Sequence, residues 1–334
     1  MDLLPDDQQT AIAEAARDLV AAHSPPSRLH TLDDDAPVTE PTLWRLAAQQ
    51  GFFGLDVPER FGGAGLSLAE QTLVFHELGR SLAAGPFLGT VVAARLAAAA
   101  GDEALLADLV DGRLPVGLAD VATEGLYRTF DADDARAYVV VSRDGAAFYD
   151  ADAVEVVRRR PCVDAASRWA ELRVTGQPRI STTPDQFDAV GYGSVLISAM
   201  LSGICAATRD QSAEYAKVRK QFDLPIGSFQ AVKHRCSDNA VRAEAAAQVV
   251  TLAALTMEDG RPDAGLMWAA ARSVTADHAL RNCSDNIQNH GGIGYTGEHD
   301  AHLFLKRAQV LADLLLTQAD VRDAVLDAPE ARPA

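Results

Sequence analysis

Two stretches of this 334-residue chain carry residue types suited to gripping a phosphorylated ligand. In RKQFDLPIGSFQ (219–230), Arg219 offers a planar guanidinium fork that matches phosphate oxygens. Gln230 can hydrogen-bond phosphate or ribose, and Phe222 and Phe229 present apolar faces to a ring. In QNHGG (288–292), Gln288 is a second polar anchor, and Gly291 and Gly292 lack the Cβ that holds a backbone N–H away from an oxyanion. Plainer readings fit the same residues. Arg219 serves equally as a helix-end ion-pair partner, the glycine pair as a C-cap and turn, and the two phenylalanines as core. His290 suits either a phosphate contact or a surface turn. Tyr295 and Glu298 read as structural, packing and capping the last helix.

Little else in the chain suggests a metal or redox centre. The four cysteines, Cys162, Cys205, Cys236 and Cys283, have no CxxC spacing and no histidine at zinc-ligand spacing, so they read as structural thiols in a reducing compartment. A net charge of −17 argues against nucleic acid or an anionic membrane as the main partner, although local donors can still hold an anionic cofactor. The N-terminus is acidic, with no apolar segment of a signal peptide, and the apolar run Leu88–Ala100 is too short to span a bilayer and contains Arg95. A cytoplasmic protein is expected.

The elements that must position these residues are mostly helical, as abundant Ala and only 6% aromatic residues favour. Residues 6–22 have Ile12, Ala15, Ala16 and Leu19 at i, i+3, i+4, i+7 spacing, which predicts an amphipathic helix. TLWRLAAQQ predicts a second helix ending at Gly51, and Ser67 predicts the N-cap of a third. Two more fill 87–111. Short β-branched runs at 137–142, 146–151, 154–159 and 170–175 then predict antiparallel strands. Helical segments follow at 189–219, 228–258, 263–287 and 298–327. The expected fold is mainly α with a small β domain: an N-terminal helical domain (1–115), a reduced antiparallel β domain (116–187), a C-terminal four-helix bundle (188–328) and a frayed tail (329–334).

Three stretches add a resemblance: LWRLAAQQGFFGLDVPERFGGAGLSLAEQTLVFHELGR (43–80), RKQFDLPIGSFQAVKHRCSD (219–238) and QNHGGIGYTGEHDAHLFLKRA (288–308). In order, spacing and placement they resemble the acyl-CoA dehydrogenase family. The resemblance implies an FAD enzyme that desaturates an acyl-CoA thioester. A carboxylate takes the α-proton, hydride passes to the flavin, and the ADP end of FAD reaches into a neighbour's helical bundle. It assigns FAD contacts to Arg219, Gln221, Phe222, Phe229, Gln230, Gln288, Gly291 and Gly292. One departure is Asp223, where the family usually has Gly.

The resemblance also exposes what is missing. The family's base is a Glu at one of two places, which fall here on Leu315 and on Gly193-Ser194. The nearest acids, Asp188 and Asp313, are out of register. The Thr123-Glu124 pair has Gly125 where the family has Pro, and no Gly-Ser-Asp segment follows. Trp169 sits near a family aromatic position, but reads first as core. The losses fall on the ring side and the reaction centre, while the ADP grip stays. This pattern implies an accessory subunit lending its grip to a catalytic acyl-CoA dehydrogenase partner in an α2β2 assembly, with the acyl-CoA bound mainly by the partner. HGGIGYTGEHDAHL is similar to short subunits of heteromeric actinobacterial members acting on CoA thioesters of steroid side chains. Two alternatives remain: a self-sufficient homomeric dehydrogenase with a displaced base, Asp313 being the first suspect, and a non-enzymatic scaffold.

Overall fold

The computed structural model describes residues 3–32, 37–123 and 125–328. The tail 329–334, expected to fray, and Glu124 lie outside the described residues. Five helices come first: α1 (Asp7–His23), α2 (Pro41–Gln49), α3 (Leu68–Arg80), α4 (Phe87–Ala100) and α5 (Glu103–Val110). Local chemistry sets their ends. Asp6 and Ser67 each close a capping box, with Gln9 and Glu70 as the reciprocal partners.

Seven strands follow: β1 (Val116–Thr123), β2 (Leu126–Phe130), β3 (Ala137–Ser142), β4 (Gly145–Asp150), β5 (Val154–Arg160), β6 (Trp169–Val174) and β7 (Ile180–Thr182). They form one sheet in the order β5-β6-β2-β1-β3-β4-β7. Four of these strands match the expected runs; β1, β2 and β7 are additional. The sheet is antiparallel except for β1 beside β3, which run parallel. β1 and β2 are antiparallel neighbours, with Thr123 paired to Leu126.

The remaining helices are α6 (Ala189–Val218), α7 (Gln230–Glu258), α8 (Ala264–His290), α9 (Ala301–Ala312) and α10 (Gln318–Asp327). A two-stranded hairpin, β8 (Lys220–Gln221) and β9 (Leu224–Pro225), joins α6 to α7. The last helical segment, expected as one helix over 298–327, is two. Leu315 adopts φ 66°, in the left-handed region, and Thr317 caps α10 in a box with Asp320. Tyr295 is 78% exposed, so it does not pack against the last helix as expected. Glu298 is also exposed, and the backbone N–H of Ala301 donates to His299 Nδ1 at 3.1 Å instead.

One continuous core joins the first helices, the sheet and the bundle. Both α6 and α7 are long and apolar enough to cross a membrane by length and composition, but 94% of the apolar stretch of α6 is buried inside the protein, as in a core helix. Two glycines let α3 and α6 touch backbone to backbone. A Cβ on Gly79 would lie 2.0 Å from the Met200 carbonyl oxygen, and one on Gly203 would lie 1.9 Å from that of His76. Gly79→Ala is therefore expected to destabilise the chain by about 3 kcal/mol, the upper end for overpacking. Urea unfolding measures this; an unchanged midpoint would mean that the two helices part freely.

Candidate functional site

The ADP-grip residues proposed from sequence lie at one end of the bundle. Arg219 follows the last turn of α6, and its carbonyl accepts the Ile226 N–H at 2.8 Å, which closes the β8–β9 hairpin. Gln221 and Phe222 occupy the hairpin, while Phe229 and Gln230 open α7. The Phe222 and Phe229 rings meet edge to face at 6.1 Å. Gln288, Gly291 and Gly292 end α8 beside the same end of α6. There the Tyr215 ring stacks on His290 at 4.2 Å, and Asn289 Nδ2 donates to Ser212 Oγ at 2.6 Å. All eight residues are exposed.

The electrostatics of this end favour an anion. Among the described residues, no ion pair or hydrogen bond engages the side chains of Arg219, Lys220 or Lys233, in a protein of net charge −17. The glycine pair divides its roles. Gly291 needs its φ of 66° and already donates its N–H to the carbonyls ending α8, while Gly292 stays open on its Cβ side. His290 is not a surface residue. It is buried, with Nδ1 2.8 Å from the Asn286 carbonyl, and burial lowers its pKa, so it adds no cation.

The hairpin tip is strained. Phe222 and Asp223 both have positive φ, 52° and 63°, in a two-residue turn that favours Asn-Gly. Phe222 is 87% exposed, and Val218, Leu224, Ile293 and Tyr295 are exposed around the same bundle end.

The two base positions meet at the other end of α6. A Cβ on Gly193 would lie 2.7 Å from Leu315 Cδ1, so the leucine side chain fills the space over the glycine. Ser194 beside it is fully buried. No carboxylate of the predicted set reaches this point. Asp188 caps α6 by accepting the Gly191 N–H at 2.8 Å, and burial raises its pKa. Asp313 is exposed, with Oδ1 accepting the Gln318 N–H at 3.3 Å.

Sequence reasoning missed the groups that hold Leu315. Buried Asp120 of β1 accepts the Leu315 N–H at 3.0 Å and pairs with Arg128 through both oxygens, at 3.0 and 2.7 Å. Arg128 also donates to the Asp313 carbonyl at 3.2 Å and lies 5.1 Å over the Trp169 ring. Trp169, read as core, is half-buried under this cation. Fully buried Arg272 of α8 donates to the carbonyls of Leu311 (2.5 Å) and Leu314 (2.8 Å), and burial pulls its pKa down to about 9. An Asp within a VGLAD run and an Arg within a helix were the only signals. The cavity beside this turn, about 280 Å³ and touching Leu316, Ala189 and Val190, is lined by Asp188, Asp320, Asp323 and Asp327 against Arg143. Among the described residues, no group of three or more His, Cys, Asp or Glu side chains is placed to hold a metal.

Comparisons with known proteins agree along most of the chain. The family described as acyl-CoA dehydrogenase, N-terminal domain, matches residues 6–112, and acyl-CoA dehydrogenase, C-terminal domain, matches 188–313. Acyl-CoA dehydrogenase IpdE2 of Mycobacterium tuberculosis is 33% identical over 327 residues, covering 96% of each chain. Acyl-CoA dehydrogenase FadE34 of the same organism is 32% identical over 294 residues, which cover 81% of this chain but 41% of that one. The fold is that of a chain in the ChsE4–ChsE5 complex from Mycobacterium tuberculosis, with TM-score 0.83 and 23% identity over 99% of this chain and 100% of that one. It is also that of a chain in the Tcur3481–Tcur3483 steroid ACAD, with TM-score 0.82 and 24% identity over 96% and 97%.

The strained tip yields a test of its own. Phe222→Gly is expected to raise the stability of the isolated chain by about 1 kcal/mol, because an L-residue pays for a left-handed conformation and this exposed ring gives little back. Equilibrium unfolding measures it. A loss of stability would show that contacts within the chain hold Phe222.

Proposed function

The chain belongs to the acyl-CoA dehydrogenase family, and we propose that it is the non-catalytic subunit of a heteromeric, FAD-dependent member, lending an ADP-end grip to a catalytic partner. One observation carries this reading: the two places that hold the family's base face each other here as Leu315 and Gly193. Abstraction of a thioester's α-proton needs a positioned base, and general acid–base catalysis contributes roughly 10²–10⁴ in rate. A leucine methyl accepts no proton. The buried carboxylate that holds the Leu315 N–H, Asp120, has both oxygens engaged by Arg128 and that N–H.

Further observations support the same reading. The acidic cavity beside Leu316 is a poor host for the anionic CoA moiety. The grip end is the opposite in character, with unpaired Arg219, Lys220 and Lys233 beside Gln221, Gln230, Gln288 and open Gly292. These residues fit the pyrophosphate and ribose of FAD; Phe222 and Phe229 would flank an aromatic part of it. FAD, when bound, supplies the hydride acceptor. This chain's share is to orient the phosphates and to cover one end of the cofactor. Gly193 and Val218 are 25 residues apart on one helix, about 38 Å. The grip therefore suits a cofactor whose reacting ring lies against another subunit. FadE34 carries a segment similar to this chain within a protein more than twice as long, as expected if such a unit works beside a second one. The pairing in the Tcur3481–Tcur3483 steroid ACAD and the ChsE4–ChsE5 complex supports a two-chain assembly, which we take as α2β2, and the first of these supports a steroid-derived substrate, taken here as a CoA thioester held mainly by the partner.

Purified alone, the chain should hold little FAD. Co-expression with a full-length family partner should give one FAD per heterodimer, read from flavin absorbance against protein. In that complex Arg219→Ala should weaken FAD binding by about 1.5–3 kcal/mol, the range for a charged hydrogen bond. Acyl-CoA oxidation by the lone chain would refute the subunit role. Leu315→Glu in the lone chain should produce no turnover, because the ring-side contacts are missing as well; activity in that variant would show that only the base had been lost.

A further inference from the structure

A cleft of about 240 Å³ opens where α1 lies across α3, α6 and α7, apart from both ends of α6. Its walls are largely aliphatic, with Leu4, Leu73, Val250 and Leu255 among them. Its floor is polar. His76 Nδ1 lies 2.8 Å from Ser202 Oγ. The Ser202 hydroxyl gives its single hydrogen to the Ala199 carbonyl at 2.8 Å. With its hydrogen on that carbonyl, Ser202 accepts from Nδ1–H, and in this tautomer Nε2 is a lone pair facing the cleft. Nε2 has no hydrogen-bond partner among the described residues.

The neighbours on this floor are acceptors too. Glu77 gives one oxygen to Arg17 at 2.8 Å; the other is buried without a hydrogen-bond partner. Thr72 and Thr251 have donated their hydroxyl hydrogens to the carbonyls of Ala69 and Ala247. Burial holds the His76 pKa at about 4, with Arg17, Arg80 and Arg209 adding to the decrease and Glu77 opposing it, so the ring is neutral at pH 7. An anion would meet Glu77 and these lone pairs. A cation would meet Arg17, the one of these arginines that lines the cleft.

We propose that this cleft binds a small, neutral, hydroxyl-bearing hydrocarbon, its O–H donating to His76 Nε2 and its apolar body lying on the aliphatic walls. The site is independent of the subunit role and of FAD. An ordinary alicyclic alcohol satisfies both the lone pair and the walls.

Histidine ring nitrogens of the full chain, labelled with ¹⁵N, report binding directly. Cyclohexanol should shift the His76 Nε2 resonance saturably, and methylcyclohexane, similar in shape but without a hydroxyl, should bind at least about tenfold more weakly. His76→Phe should erase that preference, read from ligand-observed titration. Leu255→Trp, which fills the cleft without touching His76, should abolish binding of both probes. The proposal is overturned by an unsaturable response to cyclohexanol, by equal affinity for the two probes, or by undiminished binding to the Leu255→Trp variant.

Discussion

A buried guanidinium with no carboxylate in contact organises the end of the bundle where Leu315 meets Gly193. Arg272 is fully enclosed, and a charge in an apolar interior must find acceptors or destabilise the fold. Nη2 finds them in the carbonyls of Leu311 and Leu314, at the C-terminal end of α9, where the helix dipole also favours a cation, while Nε and Nη1 are buried without a hydrogen-bond partner among the described residues. The consequence is geometric. With those carbonyls turned toward Arg272, α9 ends and the chain passes through a left-handed Leu315 before α10 begins. Asp120 then anchors the Leu315 N–H from the sheet, and Arg128 anchors the Asp313 carbonyl. The leucine side chain is thereby set over Gly193.

This clamp explains how a leucine comes to fill the place where the proposed reading looks for a base. Two substitutions on their own would leave an empty reaction centre. Here the space is filled by a methyl group, and the turn that carries it is tied to both the bundle and the sheet. A carboxylate at Leu315 would enter a contact built for a hydrocarbon, packed so closely on Gly193 that a Cβ there would clash with Leu315 Cδ1 at 2.7 Å. The opposite end of α6 has been left open, with unpaired cations and glycines that nothing crowds. One helix thus joins a closed end to an open one.

Much of this was legible in the sequence, and the failures have local causes. Helix starts were readable because Asp6 and Ser67 are capping residues with partners three positions on. Strands β3 to β6 were readable because β-branched residues and turn residues alternate there. Strand β1, VGLADVAT, was not: it is rich in Gly, Ala and Asp, and its strand form depends on burial between β2 and β3. The break at Leu315 was invisible because ADLLLTQADVRDAVLD has good helical pattern, and the groups that interrupt it lie 39 to 195 residues away. The proposed grip residues could be singled out by residue type and by the family resemblance. Their freedom from internal partners could not, since pairing is a property of the folded surface.

The hairpin tip shows how the open end differs energetically from the closed one. Left-handed backbone costs an L-residue roughly 1–2 kcal/mol, less for Asp than for Phe. Strain of this kind persists where surrounding structure compensates it. At Leu315 the compensation is visible: two carbonyls on Arg272 and an N–H on Asp120. At Phe222 it is nearly absent, for the ring meets Phe229 at 6.1 Å and otherwise faces water. A glycine at either tip position would remove much of the cost, so the strained pair makes sense if its compensation comes from outside the chain. A covering subunit would bury the ring and take up the exposed Val218, Leu224 and Tyr295 with it. The same cover would exclude water from the unpaired cations beside the hairpin, where a phosphate would then be held far more firmly than in the free chain.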